Sequence, residues 1–109
     1  MAYNEALAQR IRLLLGERND VVEKKMFGGL AFMVAGHMCV GVSENRLMAR
    51  VGPDNYQAAL EKPHAHEMDF TGKPMKGFVF VEEPAISDTQ LLREWIALCE
   101  SFVFSLPPK

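Results

Sequence analysis

The sequence predicts an α+β fold: a mostly antiparallel sheet, built as a four-strand meander plus a hairpin, packed with N- and C-terminal helices. Two observations carry that reading. Apolar residues recur at helical spacing at both ends of the chain, while the middle is made of short valine-, phenylalanine- and methionine-rich runs separated by Gly-, His-, Ser- and Asn-bearing breaks. The expected order is α-β-β-β-β-α-β-β-α in a single domain over residues 1–109.

The first helix is read over residues 2–15. Leu7, Ile11, Leu14 and Leu15 recur at i, i+4, i+7 and i+8, Gln9, Arg10 and Arg12 lie on the other side, and Gly16 ends the pattern. Four strands follow, at 21–27, 30–35, 38–42 and 46–51. The last alternates most clearly, with Leu47, Ala49 and Val51 to one side and Arg46, Met48 and Arg50 to the other. The middle strands are apolar on both faces, so helices should cover one face and a partner the other. Gly52-Pro53-Asp54 closes the meander, and 55–61 forms a short helix before Pro63. Strands at 67–70 and 77–81 then flank a loop over 71–76. Ser87-Asp88-Thr89-Gln90 has the form of a capping box with Ser87 as N-cap. Behind it Leu91, Leu92, Trp95, Ile96, Cys99, Phe102, Val103 and Leu106 keep helical spacing until Pro107-Pro108.

With 49% apolar and 24% charged residues, the chain has the balance of a globular protein long enough to bury a core without staples. A net charge of −2 excludes wholesale wrapping of nucleic acid. The charge is uneven, however: seven Lys/Arg against five Asp/Glu over residues 1–53, and five against nine over residues 54–109. Cys39 and Cys99 sit in apolar runs with no metal or redox spacing, which reads as two buried thiols in a reducing cytosol, with a disulfide between them as the alternative. No basic segment leads into an apolar one at the N-terminus, and no run is long enough to span a membrane, so a cytoplasmic location is expected.

Lys24-Lys25-Met26-Phe27-Gly28-Gly29 raises the question of a phosphate cradle. A P-loop needs Gly, four residues, then Gly-Lys-Ser/Thr, and here Leu30 follows the glycines. Gly72-Lys73 comes closer, but Pro74 replaces the hydroxyl. Phe27-Gly28-Gly29 is therefore read as a turn motif, with glycine supplying a positive φ. His64 and His66, at i and i+2, would put two metal ligands on one face of a strand, with a third from His37 or a carboxylate. No GxSxG elbow is present. No catalytic residue, cofactor site or metal site is assigned.

Arg46, Met48 and Arg50, with Lys73 and Lys76 from the hairpin loop, outline a basic and softly apolar patch. Such a surface suits an acidic protein or a nucleic-acid backbone.

Met26 through Val34, the segment Met38 to Val42, Leu47 to Gly52, Phe70 to Phe78 with its GKPMKG core, Trp95 and the closing Leu106-Pro107-Pro108-Lys109 together resemble the N-terminal domain of the TfoX/Sxy family. The resemblance implies a secretion-chaperone-like α+β fold. It also implies a bacterial protein related to regulators of competence genes that act with the cyclic-AMP receptor protein. Those members carry a further C-terminal domain, which is not expected in this chain, and the family transfers no established active site or ligand. The resulting expectation is a small, cytoplasmic, non-enzymatic binding or regulatory module, homodimeric, with a protein partner in transcriptional regulation. The alternatives are weak nucleic-acid binding through the basic patch, or an enzyme or metal protein using His64 and His66.

Overall fold

Asn4 opens the first helix because its side-chain oxygen accepts the Leu7 N–H at 3.1 Å, satisfying one of the amides that a helix start leaves over. This helix, α1 (Glu5–Leu15), therefore begins three residues later than its apolar spacing suggests, and Gly16 ends it at φ 76°. The computed structural model describes residues 3–16, 19–26, 29–69 and 74–107. Six strands follow α1: β1 (Val21–Met26), β2 (Gly29–Val34), β3 (His37–Ser43), β4 (Arg46–Arg50), β5 (Ala65–Asp69) and β6 (Pro74–Val81). Helix α2 (Tyr56–Leu60) lies between β4 and β5, and a single 3-10 turn (Glu83–Ala85) leads into α3 (Thr89–Val103). The order is the expected one, with the 3-10 turn added.

All strand pairings are antiparallel, in the order β1-β2-β3-β4-β6-β5. The final hairpin thus inserts β6 beside β4 and leaves β5 at an edge. Helix α1 packs on β3, and α3 on β3 and β4, so both long helices cover one face. The core there joins Leu7, Ile11 and Leu15 of α1 and Leu92, Ile96 and Cys99 of α3 to Phe32, Val40, Leu47 and Val79 of the sheet. Burial of each large aliphatic side chain contributes about 1.5–3 kcal/mol. Arg12 of α1 also reaches over to Glu23 of β1, its Nη2 donating to Oε1 at 2.9 Å.

A register shift in β3 shapes the core. Phe32 pairs with Val40 but Met33 pairs with Met38, so Cys39 has no opposite number in β2. The extra residue lets Cys39 and Val40 both join the helix-side core while Met38 stays on the other face.

That other face differs from expectation. Ala31, Met38, Met48, Met68 and Phe80 form a second buried cluster, with Met33 and Phe78 packed against it, and every member comes from a strand. A partner was expected to cover this face, yet its centre is already enclosed within one chain. Methionine makes this closure feasible, since its unbranched side chain fills irregular gaps.

One local expectation is corrected. Asp88, not Ser87, caps α3: its carboxylate accepts from Gln90 N at 2.7 Å and Leu91 N at 3.4 Å, while the Ser87 hydroxyl donates to the Pro84 carbonyl. At Gly29, which has no positive φ, a methyl group would overlap the Val42 carbonyl oxygen, so close approach of β3 requires the glycine there. Phe27 and Gly28 lie outside the described residues.

Candidate binding groove

Helix α2 ends at Leu60, and the chain must then reverse to start β5. Lys62 N donates to Ala59 O at 3.1 Å, Ala65 N to Lys62 O at 3.3 Å, and Glu82 N to His64 O at 2.9 Å, which pins the reversal to the end of β6. His64 takes φ 65° in this turn, a left-handed conformation in which His is among the better tolerated non-glycine residues. The turn faces α3 across a groove of about 390 Å³. Leu91, Glu94, Trp95 and Leu98 form the helix wall, Lys62, Pro63 and His64 the opposite wall, and Ala85 of the 3-10 turn contributes as well.

The helix wall follows from spacing. Leu91, Glu94, Trp95 and Leu98 stand at i, i+3, i+4 and i+7, on one side of α3. Trp95 is only 6% exposed, yet lines the groove, whereas Leu91 is 42% exposed. The Lys62 ammonium lies over the indole, 5.9 Å from the centroid. Glu94 is drawn along its own helix by Gln90, whose side-chain amide donates to Oε2 at 3.2 Å. The result is an apolar trough with a cation at one rim and an acid on the helix, within the usual volume range of ligand sites.

The basic patch read from sequence is rearranged. Arg46 and Arg50 lie on the methionine side of the sheet, each half-buried and laid against aromatic rings. The Arg46 guanidinium carbon is 3.8 Å from the Phe80 centroid, and that of Arg50 is 5.5 Å from Phe78 and 5.3 Å from Phe102. Arg46 Nη2 also donates to Glu44 Oε1 at 3.2 Å, and its buried Nε makes no hydrogen bond. Met48, between them, is fully enclosed, so it forms the floor of this region and not a contact on its surface. Lys76 is exposed on β6, and Lys73 lies outside the described residues.

The two histidines also part company. His66 is on β5 opposite Phe80, but His64 precedes the strand in the turn, so the pair does not share a strand face. Among the described residues no group of three His, Cys, Asp or Glu side chains could hold a metal. His37 is occupied at the far end of the molecule, where its Nε2 lies 2.6 Å from the Pro107 carbonyl. Cys39 and Cys99 are both buried thiols without a disulfide. Burial pushes the Cys99 thiol well above its ordinary range, and neighbouring Cys39 adds to the rise.

The groove was not foreseen. Lys62 and Trp95 are far apart in sequence, and no short motif links them. The one available signal was a lone tryptophan on the helix flank shared with Leu91 and Leu98.

Sheet, helices and groove define an α+β module with a concave apolar recess on its helical side. The chain belongs to the TfoX N-terminal domain family, whose model matches residues 13–103. No curated protein and no solved structure matches it. Among the described residues no helix is long and apolar enough to cross a membrane.

Proposed function

We propose that this chain is a non-enzymatic binding module of regulatory type, working in the cytoplasm through the groove between the α2–β5 turn and α3. The observation that carries this reading is the groove itself: an apolar trough of about 390 Å³ with a few charged groups at its rim. Its helix wall rests on a buried core, which gives a ligand a preformed surface and lowers the ordering cost of binding. Two buried thiols without a disulfide support a reducing compartment. The resemblance to competence regulators adds a regulatory output, delivered to a protein partner in transcription.

A fragment screen read by thermal shift tests the proposal. Stabilising fragments should be found, and Leu91→Arg should abolish their effect, because Leu91 lines the groove and is exposed enough to be replaced without loss of core. Stabilisation that survives Leu91→Arg would refute the groove as the site.

The homodimer remains part of this proposal, through an edge strand rather than through the leftover apolar face. With the methionine face closed, edge strand β1 supplies the contact, where Val22 is 59% exposed. Sedimentation at micromolar concentration should report a dimer that Val22→Lys dissociates; a monomer at tenfold higher concentration would refute it.

A further inference from the structure

The groove has an asymmetry of charge that points to one class of ligand. Lys62 is exposed at the rim and lies over Trp95, and among the described residues it has no carboxylate partner. Glu94, the acid of the same groove, is engaged by Gln90. A ligand lying along Leu91 and Leu98 thus meets an unneutralised ammonium at one end and an acid on the helix wall.

We infer that the groove takes a small amphipathic monocarboxylate, its apolar body against Leu91, Trp95 and Leu98 and its carboxylate at the Lys62 ammonium. This deepens the proposed function and rests on it. Two effects favour the class. The trough rewards burial of apolar surface, in proportion to the area removed from water. Lys62 then selects an anionic head over a neutral one, and Glu94 repels that head from its own part of the groove, so the charges set orientation as well as choice. A cationic amphiphile of equal length gains nothing at Lys62 and in the reverse orientation meets Glu94, a carboxylate that already accepts from Gln90, so it is less favoured than the carboxylate.

Trp95 is the sole tryptophan of the sequence, so intrinsic fluorescence reports on the groove without labelling. The chain is titrated separately with octanoate and octylammonium, each below its micelle concentration, and with octanol below its solubility limit. Octanoate should move the Trp95 emission saturably, octanol more weakly, and octylammonium least. The expected preference for octanoate over octanol is about fivefold, the scale of one solvent-accessible charge pair. Lys62→Gln should erase this preference, so that octanoate binds no better than octanol to the same variant, and Lys62→Arg should restore it. Equal binding of octanoate and octanol by the unaltered chain would overturn the carboxylate assignment and leave the groove standing as a binding site. A preference that persists in Lys62→Gln would overturn the role of Lys62. If none of the three ligands moves Trp95 at millimolar concentration, the carboxylate assignment and the groove reading both fall.

Discussion

Met48 occupies the space that a side chain at Gly41 would need. The two residues are paired across β3 and β4, and a Cβ at Gly41 would fall 2.7 Å from the Met48 methyl carbon and 2.8 Å from the Leu30 carbonyl oxygen. The sheet face without a helix closes partly by this device, a methionine end laid over a bare glycine. Gly41→Ala should therefore cost about 1–3 kcal/mol in urea unfolding, the usual range for overpacking. Adding Met48→Ala should not recover the loss, since the Leu30 carbonyl is backbone and stays in place. Recovery to the stability of Met48→Ala alone would show that the side chain was the only obstacle.

Gly29→Ala should cost at least as much, because the added methyl meets the backbone carbonyl of Val42. The loss should be the same with and without phosphate in thermal melting, as suits a glycine that admits a neighbouring strand. An unchanged melting point combined with a lost phosphate shift would instead mark an anion cradle.

Much of this fold was legible in the sequence because local patterns and tertiary packing agree. Leu7, Ile11 and Leu15 at helical spacing are the residues that α1 buries, and Leu47 and Ala49 face the helices as their alternation requires. What escaped depends on contacts distant in sequence. Ser87 and Asp88 are both good caps, and only the bond from Ser87 to Pro84 leaves the role to Asp88. The extra residue at Cys39 has no local signature in a run where every residue is apolar. Met48 was legible as belonging to the second face, but not as enclosed there, because Met38, Met68 and Phe80 come from three other strands. The groove needed the α2–β5 turn to be set against α3, and spacing alone carries no such information.

Alkaline pH should weaken the fold through its buried acids. Burial raises Cys99 above its ordinary 9.0, and burial with the charge of Glu67 raises Tyr56 above 10.0. Both groups stay protonated in the folded chain while the unfolded chain ionises first, so their contribution is intact below pH 9 and falls as pH rises beyond it. Urea unfolding from pH 8 to 11 should show this decline, and Cys99→Ala should remove the part that begins near pH 9. The same burial predicts that thiol reagents modify Cys39 and Cys99 only as fast as the chain opens. Rapid labelling of the native chain at neutral pH would contradict the placement of both thiols.

Nucleic-acid binding should be weak, sequence-tolerant and quickly lost with salt. The net charge is −2, and Arg46 and Arg50 are laid against Phe80, Phe78 and Phe102. Each phosphate contact adds about 0.9 to the slope of log affinity against log salt. A DNA titration should therefore give a shallow slope that Arg50→Ala flattens further. Tight, base-specific binding at physiological salt would show that this face is a true nucleic-acid surface.

On the proposed function, ligands enter the groove between the α2–β5 turn and α3. Amide chemical-shift mapping of isotopically labelled protein, titrated with fragments that stabilise it, tests this most directly. Shifts should concentrate at Lys62, His64, Ala85 and the stretch from Leu91 to Leu98, with Met38, Met48 and Phe80 unmoved. Shifts centred on Arg46, Arg50 and Phe78, with Lys62 and Trp95 silent, would contradict it and move the binding surface to the opposite face of the sheet.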